Sequence, residues 1–326
     1  MKEEIAKSLK SSETEDWLDY HIVRPHSYRW AKFFNKLDFS PNTVTIMSMV
    51  IGAASCIFFA SGSYHYSGWH GLLFNIIAII LLVWADVYDC ADGQLARISG
   101  KKSKLGRILD GLAGFAWYIP IYAALVYRFY MHHDIEFGWL GIADTGNNAL
   151  IATGIVLLVA LVSGICLANQ QRLADYYIQI HLFFLKGEKG SELDNSVQQK
   201  EIYANMGAET PWWERLFQKN YISYTQLQER TTPHFQNMIA TLRKKYGSLD
   251  NIPTEVRNDI HDNSLKIMKI NGLLTFNFRS SYLFLFCLLD VPVLAFVFEI
   301  VCMTLLQYHV NHKHEKFCKR ITETIE

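Results

Sequence analysis

The chain has 326 residues; half are hydrophobic and 19% are charged, with 31 acidic side chains balancing 31 basic ones. This composition is more apolar than that of an average soluble domain, and the balanced charge gives no sign of a nucleic-acid-binding surface. The six cysteines are scattered without a C-x-x-C pair, so the sequence implies neither a disulfide framework nor a zinc site. The charged beginning of the chain predicts no cleavable signal peptide.

The first predicted element is an amphipathic leader. Residues 14–37 mix aromatic side chains with Arg and Lys, which is typical of a helix lying on the inner membrane surface. Pro25 is expected to break or kink this helix. The alternative is a solvated polar leader. We treat residues 1–42 as one cytoplasmic or interfacial segment.

Six apolar segments follow, each long enough to cross about 30 Å of hydrocarbon, which takes about 20 residues. They cover about 43–62, 70–88, 108–130, 148–169, 271–290 and 291–310. The connections 63–69 and 131–147 contain no Lys or Arg. The segments 1–42, 89–107, 171–270 and 311–326 are rich in both. This alternation predicts six spans with both ends of the chain in the cytoplasm.

The remaining segments are a polar insert at 171–270 and a tail at 311–326. The insert contains helix-like and linker-like stretches, so we expect a small helical cytoplasmic unit between spans 1–4 (43–170) and spans 5–6 (271–310). The predicted fold is therefore an all-α membrane protein with six transmembrane helices, an interfacial helix and a helical insert.

Acidic residues lie where the second span ends and the third begins. Asp86, Asp89 and Asp92 follow each other at three-residue spacing, and Asp110 enters the third span from the same side. Antiparallel helices would bring Asp89, Asp92 and Asp110 together at the cytoplasmic membrane boundary. Such carboxylates either neutralise nearby Lys and Arg at the headgroup layer or share a cation.

The surrounding residues favour a metal and phosphate site. Three carboxylates need a positive charge to share a dry site, and Mg²⁺ or Mn²⁺ prefers oxygen ligands. Small residues leave room for a ligand nearby, and a basic loop could hold phosphate, although bases are also expected there for topology. The small residues are Gly93, Ala96 and Gly106, and the bases are Arg97, Lys101, Lys102, Lys104 and Arg107. Phosphoryl-type transfer is the reaction class that this pattern suggests.

The stretch "DCADGQLARISGKKSKLGRILDGLAG" resembles the signature of the CDP-alcohol phosphatidyltransferases, D-x-x-D-G-x-x-A-R followed after about eight residues by G-x-x-x-D-x-x-x-D. Seven positions match: Asp89, Asp92, Gly93, Ala96, Arg97, Gly106 and Asp110. The upstream "SPNTVT" at 40–45 resembles the Pro-Asn-x-x-(Ser/Thr) element of the family's first span. The resemblance covers about 40–170, and 271–310 by topology.

The resemblance implies transfer of a phosphatidyl group from a CDP-linked lipid to an acceptor alcohol, with release of CMP. It implies that Asp89, Asp92 and Asp110 hold the metals, and that Asp89 also contacts substrate. It implies that Gly93, Ala96, Arg97 and Gly106 bind substrate. The basic loop adds Lys104 and Arg107 to this set, and the fifth span adds Arg279. The implied partners are the two substrates and membrane lipid, with no nucleic acid; a homodimer stays open.

One position departs from the family pattern, because the last Asp falls on Gly114. That carboxylate is expected both to bind metal and to take the acceptor's proton. Three alternatives follow: the acceptor's phosphate or a metal-bound water acts as base, Asp86 substitutes, or catalysis is slow or lost. We expect Asp110 and Asp86 to be the catalytic carboxylates.

Other assignments compete with the enzyme. A silent homologue would bind CDP-lipid or act as a scaffold through the insert; a membrane prenyltransferase would leave the glycine and alanine of the motif unexplained; a transporter would place charges near the midplane. Arg279 in the fifth span either contacts the acceptor or pairs with Glu299. His309, His312 and His314 are expected in a solvated tail rather than at a metal.

Overall fold

The protein is helical throughout the part that the computed structural model describes, residues 4–5, 8–101, 103–187 and 190–325, and these ranges contain no strand. Its helices of six residues or more are α1 (Arg24–Lys36), α2 (Pro41–Ala60), α3 (Trp69–Ser99), α4 (Lys104–Met131), α5 (Asp134–Leu140), α6 (Gly146–Lys186), α7 (Ser196–Ala204), α8 (Trp212–Thr231), α9 (Pro233–Tyr246), α10 (Thr254–Asn271), α11 (Phe276–Leu288), α12 (Val293–Phe298) and α13 (Thr304–Ile325). A π-helical turn, Glu299–Met303, joins α12 to α13. The all-α class is confirmed.

Within the described ranges, five helices are long and apolar enough to cross a membrane: Pro41–Ala60, Trp69–Ser99, Leu105–Met131, Gly146–Lys186 and Val293–Ile325. They account for five of the six predicted spans. The remaining one, 271–290, contains α11, whose 13 residues give a helix of about 20 Å at 1.5 Å per residue. The protein is an integral membrane protein, and the count of six spans stays a prediction.

The leader joins the bundle through α1. A π-helical turn, Asp19–Val23, leads into α1, where Pro25 is one of the first two residues. Proline has no N–H to donate to the preceding turn, but the backbone stays right-handed helical at Val23 and Arg24, so Pro25 does not break the helix. The aromatic residues of α1 pack on α3, with the Trp30 and Tyr88 ring centroids 5.2 Å apart. Phe34 and Tyr88 belong to the same buried cluster.

Helices α2 and α4 pack closely because one glycine removes a side chain from their interface. A Cβ at Gly52 would lie 2.2 Å from Cδ1 of Trp117, so only glycine fits. The Trp117 indole N–H donates to the Ser48 carbonyl over 3.1 Å, and the Ser48 hydroxyl donates to the Ala85 carbonyl of α3 over 2.8 Å. Three consecutive spans are therefore fixed to one another.

The bundle is also fixed at the end opposite Asp89, Asp92 and Asp110. Arg128 is 2% exposed there and forms an ion pair with Asp290, and its Nη1 donates to Asn75 over 3.0 Å. Asp290 has a positive φ of 63° and accepts from the Ser63 hydroxyl over 2.9 Å. A buried arginine with this many partners holds α3, α4 and the α11–α12 connection in register.

The chain divides into two compact units. The first comprises the chain up to Leu167 together with Phe276–Cys302, and the second comprises Ala168–Thr275 and Met303–Glu326. In the second unit, Glu315 of α13 accepts the backbone N–H groups of His234 and Phe235 and so caps the start of α9. His314 is 4% exposed beside it. The solvated-tail expectation is wrong for His314, whereas His309 and His312 are exposed.

Candidate active site

Three carboxylates converge where α3 ends and α4 begins. Asp89 and Asp92 lie one turn apart on α3, and Asp110 lies near the start of α4. One carboxylate oxygen of each lies within 4.8 Å of the others. The prediction that the two helices bring these acids together is confirmed, and we call Asp89, Asp92 and Asp110 the acidic triad.

A threonine of α2 fixes one member of the triad. The Thr45 hydroxyl donates a hydrogen bond to Oδ2 of Asp92, and Asp92 is only 4% exposed. A hydroxyl donor stabilises the ionised form of a buried carboxylate and holds its orientation. Thr45 is the last residue of the Pro-Asn-x-x-(Ser/Thr) element, and the packing of α2 on α3 explains why a hydroxyl is useful at this position.

The triad fits a hard divalent cation. Its donor atoms are all carboxylate oxygens, which Mg²⁺ and Mn²⁺ prefer. Oδ1 of Asp89 is buried and has no hydrogen-bond partner among the described residues. A buried carboxylate oxygen without a donor is costly, and a coordinated cation would remove that cost. The residues present are therefore suited to hold the ion that the family resemblance implies.

Two parallel helices begin beside the triad. Ser103 caps α4 by accepting the Gly106 N–H over 2.9 Å, and its hydroxyl donates to Oδ1 of Asn42 in α2 over 3.2 Å. A Cβ at Gly106 would lie 2.6 Å from that same Asn42 oxygen. Gly106 thus leaves room for the Asn42 side chain beside the start of α4, and its nucleotide-binding role stays a prediction.

Arg97 points toward the leader. Its Nε donates to the Ser8 carbonyl, and its Nη2 lies 3.4 Å from where a Cβ of Gly93 would be. Gln94, on the same stretch, donates to the Ser8 hydroxyl over 3.1 Å. Arg97 of the motif therefore holds the N-terminal segment, 1–42, against α3. The motif does not indicate this role, because Ser8 lies outside it. Ala96 is half-buried on the same helical stretch.

The predicted basic loop is only partly described. Lys101 pairs with Asp38 over 2.6 Å on the surface, and Arg107 is exposed at the start of α4. Lys102 lies outside the described residues. Lys104 begins α4, and its side chain is likewise outside the described part of the structure. Phosphate binding by these bases stays a prediction.

Asp86 lies one helical turn before Asp89 on α3, with 7% of its surface exposed. A carboxylate oxygen of Asp86 lies within 4.8 Å of ligand atoms of Asp19 and Cys90. Burial and the neighbouring Asp16 raise the pKa of Asp19 to about 6. Gly114 follows Asp110 by about one helical turn and is half-buried. Whether Asp86 substitutes for the missing acid stays a prediction.

Arg279 lies inside the first unit at 1% exposure. Its Nη1 is 3.8 Å from Oε1 of Glu299, and the Tyr282 hydroxyl donates to the other oxygen of that carboxylate. Nη1 of Arg279 also donates to the Leu167 carbonyl over 3.4 Å. The alternative pairing with Glu299 is thus present, and contact of Arg279 with an acceptor stays a prediction.

Comparison with known proteins identifies the segment that carries this site. Residues 39–181 match the CDP-alcohol phosphatidyltransferase family model. The match confirms the resemblance seen in the motif, and it covers α2, α3, α4 and most of α6. Comparisons with curated proteins and with solved structures find no match. The CDP-alcohol phosphatidyltransferase match supports a transferase that moves a phosphatidyl group from a CDP-alcohol, in a family that generally depends on divalent metal.

Proposed function

We propose that this protein transfers the phosphatidyl group of a CDP-linked lipid such as CDP-diacylglycerol to an acceptor alcohol and releases CMP. The acceptor oxygen forms a bond to the lipid-side phosphorus, the bond from that phosphorus to the oxygen of CMP breaks, and the acceptor loses its proton. The observation that carries the proposal is the convergence of Asp89, Asp92 and Asp110 within the family-matched segment.

The acidic triad would hold Mg²⁺ or Mn²⁺. When bound, such an ion neutralises the pyrophosphate and stabilises the departing CMP. Thr45 keeps the Asp92 carboxylate oriented toward its neighbours. Asp110, the exposed member of the triad, is the carboxylate that we assign to proton transfer from the acceptor.

The remaining assignments follow the motif. We propose that the α2 and α4 starts, with Gly93, Ala96 and Gly106, line the nucleotide pocket, and that Arg97, Lys104 and Arg107 face phosphate oxygens. Arg279 would contact the acceptor. The alternation of basic connections supports a site and chain ends on the cytoplasmic side of the inner membrane, with six spans.

The test follows CMP release from CDP-diacylglycerol by the purified protein with Mg²⁺ or Mn²⁺. The acceptors are inositol phosphate, glycerol phosphate, serine and ethanolamine, because the sequence leaves the acceptor open. Metal-dependent release that Asp92→Asn abolishes and Asp38→Asn retains would support the enzyme; Asp38 is an exposed acid on the same side of the bundle. Release unaffected by Asp92→Asn would refute the role of the triad.

A silent homologue is the second candidate, and Gly114 is the observation that favours it. Loss of a general base costs a factor of about 10²–10⁴, so an enzyme without that acid is expected to be slow. No CMP release with any acceptor, together with release by Gly114→Asp, would support the silent homologue. Equal release by the original chain and by Gly114→Asp would argue against it.

A further inference from the structure

A second group of metal-ligating side chains lies between the leader and α3. Ligand atoms of Asp19, Asp86 and Cys90 all lie within 4.8 Å of one another. Asp86 and Cys90 are four residues apart and share one face of α3, whereas Asp92 points about 120° away at 100° per residue. This leader cluster shares no residue with the acidic triad, of which Asp89 lies nearest, about 60° from Asp86 around the helix.

Contacts on both sides hold Asp19 in place. The Asp19 N–H donates to Oδ1 of Asp16 over 2.8 Å, and Asn277 of α11 donates to the other Asp16 oxygen over 2.8 Å. Arg24 forms an ion pair with Glu15 over 2.8 Å on the same stretch of leader. The leader thus delivers Asp19 to α3 in a fixed position, as a binding site requires.

Asp86 supplies the observation that points to a ligand. Asp86 as a residue is 7% exposed, and no described residue donates a hydrogen bond to its carboxylate. Arg24 pairs with Glu15 over 2.8 Å and also interacts electrostatically with Asp19 and Asp86, so one guanidinium faces three carboxylates and leaves negative charge in excess. A buried carboxylate without donors is costly, and a cation held between Asp86, Asp19 and Cys90 would offset that cost.

We propose that Asp19, Asp86 and Cys90 form a binding site for a thiophilic divalent cation, with Zn²⁺ as the ion that fits best. The bound ion would hold the leader to α3. Carboxylate oxygen and thiolate sulfur are both ordinary zinc ligands, whereas Mg²⁺ disfavours sulfur. Binding forms the Zn–S bond and releases the Cys90 proton to solvent. Zinc ligands lie about 2.0–2.3 Å from the metal, so the side chains need to close in only slightly.

The test uses Co²⁺ as a spectroscopic probe and Zn²⁺ in competition with it, on the full chain in detergent. We expect a thiolate-to-cobalt charge-transfer band that Zn²⁺ displaces. Cys90→Ser should abolish the band, and Asp86→Asn should weaken Zn²⁺ binding at least about tenfold. Cys56→Ser is the matched control, because Cys56 is half-buried on the neighbouring α2, and its band should be unchanged.

Two further variants separate this site from the others. Asp92→Asn should keep the band, because the acidic triad has no sulfur, so failure of the transferase proposal leaves this result intact. Cys318→Ser should also keep it, although Cys318 lies in a buried group with His314 and Glu315. A band that is absent, that survives Cys90→Ser, or that disappears in Cys318→Ser would overturn the proposal. Near-ultraviolet circular dichroism of the metal-free Cys90→Ser protein checks that it is folded.

Discussion

The hydrogen bond from Thr45 to Asp92 allows a quantitative test of the acidic triad. Thr45→Val keeps the shape of the side chain but removes the hydroxyl that donates to Oδ2 of Asp92. Thr45 is 2% exposed and Asp92 is 4% exposed, so water cannot easily replace the lost donor. A hydrogen bond to a charged group contributes about 1.5–3 kcal/mol.

That energy predicts the size of the effect. At about 1.4 kcal/mol per factor of ten, Thr45→Val should weaken binding of the divalent ion by roughly 10- to 150-fold. Residues that orient metal ligands typically change affinity by about 10- to 100-fold, so two independent estimates agree. The expected result is a shift of the Mg²⁺ or Mn²⁺ dependence to higher concentration, measured by calorimetric titration and by CMP release.

The chain offers a matched control for this substitution. Thr43→Val makes the same change two residues earlier on α2, where Thr43 is exposed and contacts the Ser40 hydroxyl. Thr45→Ser should restore most of the metal affinity, because it restores the donor. Equal metal affinity in Thr45→Val and Thr43→Val would refute the reasoning that Thr45 positions a metal ligand.

Three further predictions test the packing and the charges. Arg128→Met should lower the free energy of unfolding by about 3–5 kcal/mol, because it removes the counter-ion of Asp290; denaturant titration in detergent measures this, and an unchanged midpoint would contradict it. Gly52→Ala should cost about 1–3 kcal/mol or more through overlap with the indole ring, whereas Gly111→Ala, with nothing within 4 Å of its Cβ, should change stability by less than about 0.5 kcal/mol. Burial raises the pKa of Glu136 from 4.5 to about 7, so the folded state binds a proton more tightly than the unfolded state and the melting temperature should fall as pH rises from 4.5 to 7. Glu136→Gln should flatten that dependence, and an equal slope in both proteins would refute the assignment.

Much of the membrane bundle could be predicted because its signals are local. A span is an uninterrupted apolar segment, and α2, α3, α4 and α6 lie where the hydropathy places them. The acidic triad was also predictable, since three-residue spacing on one helix and entry of the next helix from the same side fix the meeting point. Both inferences need only the helical repeat and the alternation of spans.

The sequence is less informative where local pattern and long-range packing disagree. The segment 271–290 stays a predicted span, although its regular helix begins only at Phe276, after the 3₁₀ turn Gly272–Leu274. His314 lies in a polar stretch, but its ring packs against Tyr177 and Phe235 and is buried. The helical periodicity of a charged helix does not predict which of its faces is buried, because the residues that cover that face come from distant segments.

Arg97 shows how a motif position can serve packing as well as chemistry. Gly93 and Arg97 are four residues apart on α3, so the guanidinium lies over the glycine, and its Nε reaches the Ser8 carbonyl. A guanidinium has five N–H donors, and the bond to Ser8 uses one of them, which leaves donors for phosphate. In the proposed function, the D-G-x-x-A-R spacing would couple two events through one side chain. The contact with Ser8 fixes the Arg97 guanidinium, and a fixed guanidinium would lose less conformational entropy on binding a phosphate.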